Sequence, residues 1–320
     1  MKRALAIALV VACGSSSSNR RDAGPVSNAV DSARFLADLT TISAPRPPAS
    51  PHWQTVQDLC AARFEALGFT VERHQYATGV NVIGTRTGTR LPAERLLVSA
   101  HYDSVNACAG ADDNATGVAA TLEAARVLSL SPHDRTLVVA CWDEEERGLI
   151  GSRAYATRAK AAGDRVTGHF VFEMIGYRST APNSQRTDPN LDAAFPAQTA
   201  EIAANEYRGD FILLIHDTGS AALAADFDAQ ATALALPAIA LPVSDALKLA
   251  PAASGLRRSD HAPFWEQGYP SIQLTDTANF RNPHYHCAGG EDALADIDVE
   301  FATLIIKATV GATAAALDAK

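Results

Sequence analysis

The fold is decided by a short apolar run that ends in polar residues, RLLVSAHYD at residues 95–103. A run of this length, with charged or polar residues at its ends, is typical of a strand that is buried on both faces. Two runs of similar character follow at residues 136–141 and 168–172, and a helical pattern separates each run from the next. This alternation predicts an α/β fold, built as a three-layer α/β/α sandwich.

The rest of the chain continues the alternation of helical and strand-like patterns. The other predicted elements are helices at 30–39, 55–67, 115–129, 151–162, 192–207, 221–235 and 298–317, and strands at 70–76, 81–86, 211–215, 238–241 and 271–275. No linker-like stretch interrupts residues 30–320. We therefore predict a single domain over that range.

The composition excludes several classes of protein. Of the 320 residues, 47% are hydrophobic and 20% are charged, which supplies a large core and excludes a disordered, collagenous or polytopic membrane protein. Lys and Arg number 27 against 36 Asp and Glu, which gives a formal net charge of -9. The longest basic runs are the pairs Lys2-Arg3, Arg20-Arg21 and Arg257-Arg258, so we expect no nucleic acid partner.

The N-terminus has the pattern of an export signal. Lys2 and Arg3 precede an apolar run at residues 4–12, and Cys13 follows it. The run is too short to span a bilayer, and it resembles a bacterial lipoprotein signal peptide over residues 1–12, cleaved to expose Cys13 for acylation. The alternative is a plain secretory signal cleaved elsewhere. Either signal predicts export to the periplasm or outer surface, and the first also predicts a lipid anchor at Cys13 and a flexible tether over residues 13–29.

Polar residues follow the first buried strand, at the edge of an α/β sheet where ligands bind. His101 and Asp103 are two residues apart, so at a strand end their side chains point the same way. Asp103 can then accept the second N–H of His101 and fix its tautomer for metal binding. The alternative is an ordinary hydrogen-bonded pair without a metal.

The motif GADDNATG at residues 110–117 opens the next predicted helix. Two acids and an amide at a helix entrance can serve as an N-cap. That explanation does not require glycines on both sides, whereas glycines let the backbone approach a bound ion closely. The motif therefore makes Asp113 a candidate metal ligand.

A carboxylate run at residues 143–146 follows the second buried strand. Such runs usually lie on a solvated surface, but this one continues directly from a buried segment. Because adjacent glutamates diverge in direction, one of them can bind a metal while its neighbour stays free as a general base.

Two further candidates complete a set of metal ligands. Glu173 comes directly after the buried run at 168–172, where a carboxylate needs a cation as its partner. The loop NPHYH at residues 282–286 offers two histidines, of which we expect His286 to be the ligand and the other a bystander. The combined set has two imidazoles and three carboxylates, which suit zinc: His101, Asp113, Glu146, Glu173 and His286.

Five ordered motifs in this chain resemble the co-catalytic zinc aminopeptidases, a family of secreted bacterial leucyl-type aminopeptidases to which the glutaminyl cyclases are related. The motifs are His101-Tyr102-Asp103, GADDN at 110–114, EERGL-x-GS at 145–152, SDH at 259–261 and NP-x-x-H at 282–286. The resemblance covers about residues 30–310 and implies that the domain at 30–320 is catalytic. It also implies a mixed, mainly parallel central sheet.

The resemblance implies a role for each candidate residue. His101 and Glu173 would hold one zinc ion, Glu146 and His286 a second, and Asp113 would bridge the two. Glu145 would be the general base, and Asp103 would orient His101. The implied activity is removal of N-terminal amino acids from peptides with a free N-terminus, by a hydroxide held between two Zn²⁺ ions. We expect the enzyme to be a monomer.

The chain departs from the family pattern at two positions. Glu173 stands where well-known members carry Asp. The stretch at residues 255–258 lacks the tyrosine that some members use to stabilise the oxyanion. Arg258 and Tyr285 are the candidate substitutes for that tyrosine.

Two other functions compete with the aminopeptidase. A glutaminyl-peptide cyclotransferase with a single zinc would share several motifs, but it would lack the DDNA-x-G run that this chain has at residues 112–117. A non-catalytic surface module on a peptidase scaffold would have lost ligands, and here every candidate ligand is present.

The five cysteines are too sparse for a disulfide scaffold. With Cys13 assigned to the lipid anchor, Cys108 and Cys287 flank two metal-site motifs, and we predict a disulfide between them. Cys141 ends a buried strand and is predicted to be a free core thiol.

Overall fold

The structure is a computed structural model that describes residues 24–318. The predicted signal peptide and Cys13 lie outside the described residues and stay predictions. Residues 24–29, at the end of the predicted tether, include the short helix α1 at Gly24–Ser27. Val26 and Ala29 pack against the hydrophobic core, so the packed part of the chain includes these tether residues and does not begin at residue 30.

Eight strands form one mixed sheet. They are β1 Thr70–Gln75, β2 Val80–Arg86, β3 Leu91–His101, β4 Arg135–Trp142, β5 Arg165–Glu173, β6 Ile212–Asp217, β7 Ala238–Val243 and β8 Ile272–Thr275. Their order across the sheet is β1-β2-β4-β3-β5-β8-β6-β7. The central strands β4, β3, β5 and β8 are parallel to one another, as are β6 and β7, and the remaining pairs are antiparallel.

Helices cover both faces of the sheet, which confirms the predicted three-layer α/β/α sandwich. The remaining helices are α2 Ser32–Ile42, α3 Pro51–Ala66, α4 Gly117–Leu128, α5 Ile150–Ala162, α6 Pro189–Ala194, α7 Pro196–Ala204, α8 Ala221–Ala233, α9 Asp245–Lys248, α10 His261–Glu266 and α11 Val299–Leu317. The larger core packs α2, α3, α4, α8 and α11 on one face, and a smaller core packs α5 and α10 on the other.

Strand β3 shows how the sequence builds the two cores. Successive side chains of a strand point to opposite faces. Accordingly, Leu96 and Val98 belong to the larger core, whereas Leu97 belongs to the smaller one. The strand is apolar at every position from 96 to 98 because both of its faces are covered.

One prediction is wrong, because a helix expected to be continuous is interrupted. The helix predicted over residues 192–207 is two short helices, α6 and α7, which meet at Phe195. Pro196 has no N–H to donate and disfavours a helical conformation in the residue before it. Phe195 accordingly has φ -131° and ψ 59°, outside the helical region.

Within residues 24–318, α11 alone is long and apolar enough to cross a membrane. The central helix of a compact domain can have the same length and apolar character. In α11, 67% of the apolar window is buried inside the domain, against the other helices of the larger core.

Candidate metal centre

Three of the predicted ligands stand at one edge of the sheet. His101 is the last residue of β3 and Glu173 is the last residue of β5. Glu145 and Glu146 follow the end of β4 by a few residues. Because β4, β3 and β5 are adjacent and parallel, their carboxyl ends bring these side chains together.

The first cluster comprises His101, Glu145 and Glu173, whose ligand atoms lie within 4.8 Å of one another. The His101 ring is fully buried, and its Nε2 lies 3.6 Å from Oε2 of Glu173. Neither ring nitrogen makes a hydrogen bond with any residue in the described range 24–318. Although burial lowers the pKa of His101, the carboxylates of Glu173 and Glu145 outweigh it and raise that pKa well above its usual value. A buried imidazole without hydrogen bonds among carboxylates fits a cation site.

The second cluster comprises Asp113, Glu146 and His286, again with ligand atoms within 4.8 Å of one another. His286 Nε2 lies 3.2 Å from Oδ2 of Asp113 and 3.1 Å from Oε2 of Glu146. Burial raises the pKa of Glu146 to about 7, with the neighbouring Asp113 carboxylate adding to the shift. The His286 side chain is 34% exposed, so this cluster faces solvent more than the first.

Asp113 stands between the two clusters. Its Oδ1 lies 3.4 Å from Nε2 of His101, while its Oδ2 faces His286. One carboxylate thus presents one oxygen to each cluster. This is the arrangement expected of a ligand shared by two ions, and the nitrogen and oxygen donors of both clusters suit zinc.

The glycines around Asp113 are required by close backbone contacts. Gly110 has a φ of 55°, and a Cβ there would lie 2.1 Å from the carbonyl oxygen of Asp113. A Cβ on Gly117 would lie 2.3 Å from Oδ1 of Asn114. The same Oδ1 accepts a hydrogen bond from the N–H of Met174, directly after β5. At both ends of the motif at 110–117, the close contacts therefore leave no room for a side chain.

Asp103 makes hydrogen bonds that the sequence did not predict. Its Oδ1 lies 3.3 Å from Nδ1 of His101, without the alignment of a hydrogen bond. Its two oxygens also accept hydrogen bonds from the backbone N–H groups of Glu145 and Glu146, at 3.1 and 3.2 Å. This buried carboxylate therefore connects the end of β3 to the loop that carries both glutamates.

Glu145 is half-buried beside other carboxyl groups. Burial raises its pKa well above the usual value, and Glu173 and Asp260 add to the shift. A carboxylate whose pKa is raised in this way has the character of a general acid or base. All predicted ligands and Glu145 thus lie together at one edge of the sheet, and their individual roles stay predictions.

Sequence reasoning missed Asp292. Its buried carboxylate accepts hydrogen bonds from the backbone N–H groups of Asp112 and Asp113, at 2.8 and 2.9 Å. Asp292 lies in a polar Gly-Gly-Glu-Asp stretch that reads as an ordinary solvated turn. Only its place in the folded chain shows that it holds Asp113.

The SDH motif contributes its serine to the site. The Ser259 hydroxyl donates to Oε2 of Glu173 at 2.5 Å. His261 faces away, with its Nε2 2.8 Å from the carbonyl oxygen of Leu256 and its ring edge-on to Trp265.

Both candidate substitutes for the missing tyrosine lie beside the second cluster. The Tyr285 ring stacks on His286, with ring centroids 3.8 Å apart. Arg258 donates to the Tyr285 hydroxyl oxygen at 3.1 Å. Because that oxygen accepts from Arg258, the phenolic hydrogen is available for a further partner.

Three of the cysteines are placed as the sequence predicted. Cys108 and Cys287 form a disulfide, and Cys141 is a buried free thiol. Cys60 is also free and buried.

A cavity opens beside the first cluster, with about 910 Å³ of empty space that includes the solvent at its open mouth. Glu173, Arg258 and Tyr285 line it on the side of the centre. Most of the exposed area of its walls is apolar, although charged residues such as Arg186, Asp188 and Asp192 also line it. The apolar lining residues include Phe195, Ile202, Phe211, Leu213, Ile215, Leu241 and Leu256.

The fold and the paired clusters define a metallopeptidase-like α/β domain with its centre at the carboxyl edge of the sheet. The chain belongs to peptidase family M28, whose family model matches residues 81–309. This confirms the resemblance to the zinc aminopeptidase family that the motifs indicated.

Two curated relatives match this chain over part of its length. The Escherichia coli (strain K12) protein YfbL is 31% identical over 61% of this chain and 59% of its own length. Leupeptin-inactivating enzyme 1 of Streptomyces exfoliatus is 32% identical over 50% of this chain and 39% of its own length. The chain thus spans about half the length of these relatives.

Solved structures share the fold. The LapA aminopeptidase of Legionella pneumophila matches with a TM-score of 0.69 and 16% identity, covering 94% of this chain and 76% of that one. The glutaminyl cyclase of Porphyromonas gingivalis matches with a TM-score of 0.60 and 17% identity, covering 90% and 97%.

Proposed function

We propose that the protein is an exported zinc-dependent aminopeptidase that removes N-terminal amino acids from peptides. The observation that carries the proposal is Asp113, with one oxygen toward each of two complete ligand clusters. Membership of the peptidase family supports zinc and peptide substrates. Export and a lipid anchor at Cys13 are inferred from the N-terminal sequence alone.

The residues are suited to two zinc ions. His101 and Glu173 would hold one ion, Glu146 and His286 the other, and Asp113 would contact both. When bound, zinc polarises the scissile carbonyl and lowers the pKa of a water molecule. The charges support the pairing, because two Zn²⁺ ions carry four positive charges against the three negative charges of the carboxylate ligands.

Glu145 is assigned the proton transfers. It would take a proton from the attacking water and return it to the leaving amine. Its half-buried carboxylate with a raised pKa suits both steps. Asp103 keeps Glu145 in place through the backbone N–H of that residue.

The cavity beside Glu173 suggests which N-terminal residues are preferred. Its apolar walls would bury a large aliphatic or aromatic side chain, and its size exceeds that of an alanine methyl group many times. We therefore expect leucyl and phenylalanyl substrates to be hydrolysed with kcat/KM at least about tenfold above alanyl substrates.

The experiment is a panel of aminoacyl-p-nitroanilides, assayed with and without a chelator. Activity should disappear with the chelator and return when zinc is added. Equal or better hydrolysis of alanyl, aspartyl or lysyl substrates would contradict the assignment of the cavity. Activity that persists in the chelator would contradict the proposed function itself.

A glutaminyl-peptide cyclotransferase is the second candidate, since the fold also matches a glutaminyl cyclase. The complete second cluster, with Asp113 shared, favours the aminopeptidase. Incubation with a peptide that begins with glutamine separates the two. The aminopeptidase releases free glutamine, whereas the cyclotransferase forms pyroglutamate and ammonia.

A further inference from the structure

The Cys108–Cys287 disulfide joins the two segments that carry the second cluster. The two cysteines are 179 residues apart in the chain. Cys287 directly follows His286, and Cys108 lies five residues before Asp113. The covalent link therefore connects the segment of one candidate ligand to the segment of another.

Apart from the Tyr285 ring that stacks on it, His286 is held less firmly than His101. It lies in a loop and is 34% exposed, whereas His101 ends a central strand and is fully buried. Both His286 and Cys287 have positive φ, at 55° and 57°. L-residues rarely adopt this conformation because it costs free energy, so surrounding contacts must hold it.

The noncovalent links between the same segments act at the ends of the loop. Asn282, four residues before His286, donates to Oδ2 of Asp112 at 3.0 Å. Asp292, six residues after it, accepts from the backbone of Asp112 and Asp113. The backbone N–H of Asp292 also reaches Sγ of Cys287, at 3.4 Å, but the disulfide is the covalent link from a residue with positive φ to the Asp113 segment.

The other end of the disulfide is firmly anchored. Cys108 is 1% exposed. The fully buried guanidinium of Arg46 donates to the carbonyl oxygens of Ala109 and Gly110, at 2.6 and 2.9 Å. The disulfide can therefore transmit the rigidity of this segment to His286.

We propose that the Cys108–Cys287 disulfide is a positioning element that sets the zinc affinity of the Asp113, Glu146 and His286 cluster. The inference rests on the zinc centre of the proposed function. Reduction by a monothiol such as glutathione consumes two thiols, breaks the S–S bond and yields two protein thiols and one small-molecule disulfide. Without the link, the second cluster loses affinity and the first keeps it.

The test is zinc titration of the chelator-stripped full chain, in competition with a chromogenic chelator. The oxidised wild type should bind two ions. The Cys108→Ser/Cys287→Ser variant should bind one ion with unchanged affinity and the other roughly 10- to 100-fold more weakly, the range for outer groups that orient a metal ligand. Cys60→Ala removes a buried thiol outside the disulfide and should leave both affinities unchanged.

Three outcomes would overturn either the inference or the proposed function. If the double variant binds both ions as tightly as the wild type, the disulfide does not position His286. Equal weakening of both sites indicates general loosening and also overturns the inference. If the wild type binds no zinc at either cluster, the proposed function itself fails.

A second measurement applies if the double variant does not fold. Coupling between two equilibria is reciprocal, so zinc must favour the disulfide by the factor by which the disulfide favours zinc. The thiol–disulfide equilibrium of wild-type protein is measured in a glutathione buffer at low and saturating free zinc, held by a metal buffer. A shift of roughly 10- to 100-fold toward the disulfide is expected, and an unchanged equilibrium overturns the inference.

Discussion

At the scale of single residues, Asp103 connects the parts of the centre. Its carboxylate faces His101 and accepts the backbone N–H groups of both glutamates that follow β4. The hydrogen bonds of this one buried side chain thus fix the loop after β4 relative to the end of β3. The sequence predicted the contact with His101, because the spacing of two is visible. The backbone contacts could not be predicted, since they depend on the path of a loop.

Glu145→Gln should abolish peptide hydrolysis while zinc and fold are retained. The amide is close in shape to the carboxylate but cannot take up the proton of the attacking water, and loss of a general base costs roughly 100- to 10,000-fold in rate. The measurement is kcat on a leucyl substrate, with zinc content determined on the same sample. Unaffected hydrolysis by this variant would show that Glu145 is not the base.

Tyr285→Phe should lower kcat with little change in KM. The phenolic hydrogen is left available by Arg258, and it would stabilise the charge that develops on the carbonyl oxygen. Removal of one such donor costs roughly 100- to 1,000-fold in kcat. The ring that stacks on His286 is retained in the variant, so zinc binding serves as the control. A variant with wild-type kcat would exclude this role.

At the scale of elements, the segment between α2 and α3 supports the loop that leads to Asp113. Arg46 in this segment is fully buried and bonds to no carboxylate within the described residues. Its guanidinium donates instead to the carbonyl oxygens of Tyr102, Ala109 and Gly110, and at 3.3 Å to that of Ala44. The end of β3 and the start of the Asp113 motif are therefore fixed to each other by one side chain.

Arg46→Met should lower the free energy of unfolding by about 3 kcal/mol or more, because several buried carbonyl groups would lose their donor at roughly 1–3 kcal/mol each. Urea unfolding followed by circular dichroism measures the change. Arg153→Met is the matched control, since that side chain is 46% exposed and forms a surface ion pair with Glu266. The control should cost less than about 1 kcal/mol. Equal stability of the two variants would contradict the role of Arg46.

At the scale of the whole molecule, the sequence predicted the elements better than their arrangement. Periodicity located the buried strands, and the rule for strand ends grouped His101, the glutamates after β4 and Glu173. The position of β8 between β5 and β6 could not be predicted, because periodicity does not show which strands are neighbours in the sheet.

Loop residues were the hardest to predict. His286 was recognised only through its motif, and Asp292 was missed because a polar loop carries no periodic signal. The break in the helix predicted over 192–207 came from Pro196, whose local effect outweighs the helical pattern around it.

The central claim is that Asp113 is shared by two zinc sites, and zinc stoichiometry tests it most directly. Zinc per chain is measured on chelator-stripped and reloaded protein, for the wild type, Asp113→Asn and Glu173→Gln. The account predicts two ions in the wild type, weaker binding of both ions in Asp113→Asn, and weaker binding of only one in Glu173→Gln. One ion per wild-type chain, or an Asp113→Asn variant that loses only one of two ions, would contradict it.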